Sequence, residues 1–219
     1  LGFAGLLTWV AGAYYLDEHS NHTWNTVSNG QTEFGAMQFR QSELDGFGQL
    51  TLRLSTRFAA SAGARVGHSN YDYFAAGAAV YQGADSGNWS APRYVLSYQA
   101  DEHSFYYLSA AKGHEAAGVY PGVNLRTEPQ PYPPGMLWSY EIGSKNDLWN
   151  GRVHVDASVF RIHWNNGGSL QLVPAGEQDP LPGGAVSNGF DLSLHALFTK
   201  RVTMALEVGY ADAHLTQTV

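Results

Sequence analysis

The connections between strand-like stretches in this chain alternate strictly between short and long, and few folds can satisfy that rule. The stretches repeat with a period of two, the pattern of a strand with one apolar and one polar face. Leu50, Leu52 and Leu54 interleave with Thr51, Arg53 and Ser55, and Tyr94, Leu96 and Tyr98 with Val95, Ser97 and Gln99. Ala60, Ala62, Ala64 and Val66 interleave with Ser61, Gly63, Arg65 and Gly67, and Val202, Met204, Leu206 and Val208 with Thr203, Ala205, Glu207 and Gly209. Nine strands are predicted, about 5–17, 43–55, 58–70, 92–101, 104–112, 137–147, 151–164, 187–198 and 201–213. In the seventh, Val153, Val155, Ala157 and Val159 give way to Phe160, Ile162 and Trp164, so a bulge near Val159 is expected. Short turns fall at 55–57, 100–103, 145–151 and 199–200. Long segments, read as loops, fall at 19–42, 71–91, 113–136 and 165–187, the last two rich in Pro and Gly.

Composition supports a membrane setting for those strands. Charged residues are 14% of the 219 and aromatics 13%, with 25 Gly; soluble domains average roughly 25% charged. Mean hydropathy is nevertheless −0.26. A transmembrane β-barrel reconciles the two, because lipid-facing and lumen-facing residues average out along each strand. Such barrels also have short periplasmic turns and long extracellular loops. The predicted fold is therefore all-β, an antiparallel up-and-down meander forming part of a transmembrane β-barrel. Bacterial single-chain barrels have even strand numbers, so nine strands imply that residues 1–219 are one portion of a larger barrel domain. Trp9, Tyr14, Tyr15, Trp138, Tyr140, Trp149 and Trp164 lie near predicted strand ends, where aromatic rings line membrane interfaces. The apolar stretch 1–16 is shorter than the roughly 20 residues of a spanning helix.

The charge balance excludes other classes. A net charge of −7 and a pI near 5.6 leave no electrostatic footprint for nucleic acid. Without Cys there is no disulfide scaffold, thiol catalysis or cysteine metal site. No nucleophile elbow or phosphate loop occurs, and no catalytic residue or cofactor is expected. Nine His invite a metal reading, but none are paired at i, i+4 on a helical face, and the best group, His19 and His22 beside Asp17 and Glu18, reads as a solvated loop. Glu141 and Asp156 on neighbouring strands can share one face, with Lys145 and Arg152 as ion-pair partners. Ligand contact is expected in the long loops. The candidates there are Trp24, Trp89, His114, Tyr120 and Tyr132, as aromatic platforms and polar groups for a small molecule.

Five segments in order carry a family resemblance. Ser139-Tyr140-Glu141-Ile142-Gly143-Ser144-Lys145, a short turn and the strand from Val153 to Trp164 resemble the barrel of TonB-dependent receptors. Phe47-Gly48-Gln49-Leu50-Thr51 followed by Ala62-Gly63-Ala64-Arg65-Val66 resembles the family's hairpin with a Gly-x-Arg strand. Ser104 to Ser109, leading into Lys112-Gly113-His114, resembles its Tyr-rich strand and loop entry. The resemblance implies a Gram-negative outer-membrane location and contact with outer-membrane lipid. It further implies uptake of a scarce nutrient (a ferric siderophore, cobalamin or a glycan) driven through the TonB complex. The family's plug has no counterpart in these residues, so the expectation is a barrel fragment. The competing expectations are a small autonomous outer-membrane barrel with a structural or adhesive role, and a soluble β-sandwich that binds carbohydrate.

Overall fold

The computed structural model describes residues 2–3, 5–28, 31–77, 79–115, 117–120, 130–132, 134–165, 169–172, 178–181, 183–199 and 201–217. Among them every regular element is a strand. After β1 (Gly2–Phe3) come β2 (Leu7–Ser28), β3 (Gln31–Arg53), β4 (Phe58–Ala76), β5 (Val80–Gln99) and β6 (Ser104–Glu115). The second half holds β7 (Gly118–Tyr120), β8 (Gln130–Tyr132), β9 (Gly135–Leu148), β10 (Val153–Asn165), β11 (Ser169–Leu172), β12 (Gln178–Leu181), β13 (Gly183–Thr199) and β14 (Val202–Gln217). Ten of these make one sheet, ordered β1-β2-β3-β4-β5-β6-β9-β10-β13-β14, with every neighbour antiparallel. β7–β8 and β11–β12 form two separate ribbons.

Nine long strands in a meander are as expected; the two-residue β1 is an addition at one edge. The sheet is open among the described residues, with β14 paired only to β13. Short turns join the strands at one end, and local bonding defines them. Ser55 Oγ accepts from the amides of Arg57 (3.1 Å) and Phe58 (3.0 Å), and Asp101 Oδ1 accepts from the His103 amide at 2.8 Å. The turn before β10 runs through positive φ at Trp149 (51°), Asn150 (57°) and Gly151 (75°), a conformation natural for Asn and Gly.

Two of the segments expected as loops are strands instead. β2 and β3 pair without interruption from Leu7↔Leu52 to Ser28↔Gln31, and β4 and β5 from Phe58↔Tyr98 to Ala76↔Val80. At 22, 23, 19 and 20 residues they are about twice the roughly 9–11 that cross a bilayer, so each hairpin carries a long arm beyond the apolar zone. Polar residues there misled the loop reading, because strand pairing requires backbone complementarity rather than apolar side chains. The expected bulge near Val159 is also absent. β10 keeps unbroken register with both β9 and β13 from Val153 to Trp164. Arg161 and His163 therefore share a face with Val155, Ala157 and Val159, while Phe160, Ile162 and Trp164 lie with the polar set. The register shift in this half lies between Leu197 and Thr199.

The two faces differ sharply. Leu44, Leu50, Leu52, Leu96, Leu108, Ile142, Val159, Leu206 and Val208 stand exposed on one face, over which no second sheet packs among the described residues. That arrangement departs from a β-sandwich, whose apolar face is covered. The other face carries Glu43, Asp45, Arg65, Tyr107, Glu141, Lys145, Asp156, Asp191 and Glu207, by the register of the ladders. The aromatics near strand ends divide between the faces. Trp9, Tyr15 and Tyr140 are exposed with the apolar set and Trp149 at its turn, whereas Tyr14 and Trp164 belong to the polar face.

Candidate binding site on the polar face

The turn at 55–57 fixes the β3–β4 register, and that register assembles the site. Glu43 opposes Ser69, Asp45 opposes Gly67, and Phe47 opposes Arg65. Arg65 thus stands diagonal to Asp45, within reach of a long side chain. Its Nε donates to Asp45 Oδ1 at 2.7 Å and its Nη2 to Asp45 Oδ2 at 2.6 Å, a bidentate pair. Nη2 also donates to Glu43 Oε1 at 2.9 Å. Asp45 is 4% and Glu43 8% exposed; carboxylates so buried need this pairing and hydrogen bonding.

The network continues onto β5. Ser69 Oγ donates to Glu43 Oε2 at 3.2 Å and accepts from Trp89 Nε1 at 2.9 Å. The Arg65 guanidinium carbon lies 4.9 Å from the Tyr14 ring centroid and 5.2 Å from that of Trp89, within cation–π range. Gly67 makes the approach possible: a Cβ there would meet Asp45 Cβ at 2.6 Å and the Trp89 ring at 2.7 Å. Trp89 then stacks on His114, with centroids 4.2 Å apart and planes at 12°. The contact reaches β6 because the β5–β6 pairing stops at Arg93↔Ala111, and the ladder opens above it.

A hollow of about 500 Å³ adjoins the cluster, lined in part by Phe47, Arg65, Trp89, Arg93 and His114. A second, of about 170 Å³, is also lined by Trp89 and His114, together with Tyr71 and Asp85. Both ring nitrogens of His114 are buried without a hydrogen-bond partner, as are Glu115 Oε2 and Trp164 Nε1. His114 lies beyond Lys112, where the apolar run Tyr106, Leu108, Ala110 has ended. Burial holds its imidazole below its ordinary range, helped by the positive Arg65 and Lys112, and pushes the Glu115 carboxyl up. An uncharged, unpartnered imidazole at the edge of a hollow can accept or donate one hydrogen bond to a guest.

The five sequence candidates fare differently. Trp89 and His114 come together at the site, but on strands, and Trp89 is buried rather than exposed. Trp24 is on β2 opposite Gly35 and packs with Met37, Ala75 and Tyr81 in a separate cluster on the arm. Tyr120 and Tyr132 end β7 and β8; their side chains lie outside the described part of the structure. Sequence reasoning passed over Glu43, Asp45, Ser69 and Tyr14, although the 55–57 turn and strict alternation place the first three beside Arg65. His19 and His22 fall on opposite faces of β2. His19 Nε2 lies 3.3 Å from Asp17 Oδ1, and no group of three metal-ligating side chains gathers among the described residues.

On the same face Lys145 opposes Asp156 at 3.8 Å, an ion pair expected for these strands, whereas Glu141 accepts a hydrogen bond from the Tyr107 hydroxyl. Residues 1–218 match the family model described as TonB dependent receptor-like, beta-barrel. The chain belongs to this family. Like other TonB-dependent receptor barrels, it resembles solved siderophore receptors in fold. The ferric yersiniabactin uptake receptor FyuA from Yersinia pestis superimposes with a TM-score of 0.85 at 17% identity, covering 99% of this chain and 34% of that one. The siderophore receptor PiuA from Acinetobacter baumannii gives 0.70 at 15%, covering 99% and 37%. The ferric-catecholate import receptor Fiu from E. coli K12, in its open form, gives 0.64 at 14%, covering 99% and 34%. This chain thus spans about a third of the length of these receptors. No curated protein sequence matches it.

Proposed function

We propose that residues 1–219 form part of the barrel wall of a TonB-dependent receptor in the outer membrane of a Gram-negative bacterium. Its cargo is a scarce nutrient of the ferric-siderophore class, ahead of cobalamin or a glycan. The match over residues 1–218 carries the reading, and the siderophore-receptor neighbours support that choice of cargo. The exposed apolar face suits lipid, and the polar face suits a water-filled or plugged lumen. Binding and translocation, powered through TonB rather than by chemistry in the wall, need no catalytic residue. In this reading Trp89 and His114 contact the ligand from the wall of the 500 Å³ hollow, while Trp24, Tyr120 and Tyr132 contact it nearer the outside. The test is growth of the source bacterium on single iron sources after deletion of the full gene. Loss of use of one ferric siderophore, restored by the gene only when TonB is present, is the expected result. Unchanged growth on every ferric siderophore, with lost uptake of cobalamin or a glycan, would reassign the cargo.

A further inference from the structure

A histidine pair that sequence spacing does not show is made by the ladders. His154 on β10 opposes Asp147 on β9 and, on its other side, His195 on β13. All three belong to the polar face, at the end of the short turns, by the parity that also places Lys145, Asp156 and Glu207 there. Both imidazoles are exposed. The register of β10 is unbroken with both neighbours, and the turn before it is fixed by positive φ at Trp149, Asn150 and Gly151. The backbone positions of the three residues are therefore set.

The Asp147 contact determines what His154 can do. Its Nδ1 is hydrogen-bonded to Asp147 Oδ1. A carboxylate only accepts, so Nδ1 carries the proton and the lone pair of Nε2 is left free. A carboxylate placed this way fixes the tautomer and ring orientation of a metal-ligating histidine and makes its other nitrogen a better donor. Directly opposed residues hold their Cβ atoms about 4.5–5.5 Å apart, and a metal–imidazole bond is about 2.0–2.1 Å long. Side-chain rotation alone can thus bring His154 and His195 onto one ion. Further along the same face, Asp156, Asp191 and Glu207 outnumber Lys145 around an open hollow, and such a field concentrates cations. Two imidazoles suit Cu²⁺, Ni²⁺ or Zn²⁺, with Cu²⁺ held tightest, whereas Mg²⁺ and Ca²⁺ require oxygen donors.

We propose that His154 and His195 form a two-nitrogen site for a divalent transition-metal ion, with Asp147 as the positioning residue behind His154 and water completing the coordination. The ion ties β10 to β13, and the site stands apart from the Arg65 cluster and from whatever the receptor carries. The test uses the intact receptor containing this chain, purified in mild detergent without a histidine tag. It is titrated with Cu²⁺ against a competing chelator and followed by electron paramagnetic resonance. Wild type is expected to bind a tight equivalent whose spectrum shows splitting from two imidazole nitrogens. His154→Ala and His195→Ala should each lose that tight equivalent, and excess Mg²⁺ should not displace it. Asp147→Asn should keep the two-nitrogen splitting while weakening affinity about tenfold, the mark of positioning rather than ligation. A two-nitrogen spectrum of undiminished affinity in the double variant His154→Ala with His195→Ala would overturn the proposal, as would its absence from wild type. Unchanged affinity in Asp147→Asn would overturn the positioning role.

Discussion

Two carboxylate-bearing patches share the polar face, and they are held in opposite ways. Between β3 and β5, Glu43 and Asp45 are buried, shared by one arginine, and closed over by Tyr14 and Trp89. Between β9 and β14, Asp156, Asp191 and Glu207 border an open hollow of about 370 Å³. There Lys145 is 60% and Asp156 55% exposed at 3.8 Å. The first patch cannot lose its arginine without stranding two buried carboxylates; the second is solvated already. Equal chemistry on one face thus gives a rigid post in one place and a compliant, net-negative wall in another.

The sharpest way to break the contrast is Arg65→Met, which leaves two buried carboxylates facing each other. Removing one partner of a buried pair costs roughly 3–5 kcal/mol. Because the guanidinium is partly exposed, solvent recovers some of that, and about 2–3 kcal/mol is expected. Thermal unfolding of the intact receptor in detergent measures it, and a loss under about 0.5 kcal/mol would mean that the post is not rigid. Gly67→Ala forces Asp45 and Trp89 apart, at a cost of about 1–3 kcal/mol. The near-ultraviolet signal of the Trp89–His114 stack should change with it, and an unaltered spectrum would place the tight approach elsewhere.

The pH dependence sharpens the comparison further. The folded His114 holds its proton less tightly than the unfolded chain does. Acidification below the ordinary histidine value of about 6.5 therefore favours the unfolded state, and stability is lost as pH falls. Glu115 acts oppositely: its raised folded pKa means stability is lost as pH rises through the carboxylate range. His114→Phe should abolish the loss between neutrality and mild acid while leaving the Glu115 effect. A midpoint that still falls over that interval would assign it to another group. The smallest effect belongs to the open patch. Lys145→Ala should change stability by no more than about 0.5 kcal/mol, as exposed ion pairs do, and a larger loss would show that the second patch is also a built unit.

Some of this was legible in the residues and some was not. The alternation of Leu50 to Ser55 and of Ala60 to Gly67 made the hairpin plain, and the 55–57 turn then determined which residues oppose. The arms were not legible, because Gln31 to Gln41 and Tyr71 to Asn88 pair through backbone groups that every sequence has. The parity change at Val159 was misleading for a related reason. It marks the place where apolar residues cross from one face to the other, and composition alone cannot distinguish that from a bulge.

For the candidate site the division is the same. Arg65, Glu43 and Asp45 each sit at the parity that their strand pattern requires, so their shared face was determined locally. The stacking of Trp89 on His114 depended on where the β5–β6 ladder opens, a long-range event that no short window contains. Period-two patterning thus determined face, strand number and the nature of the two surfaces, because side-chain direction in a strand is a local property. Which side chains touch was decided by register and ladder length, which are set by turns and by the summed pairing of whole strands.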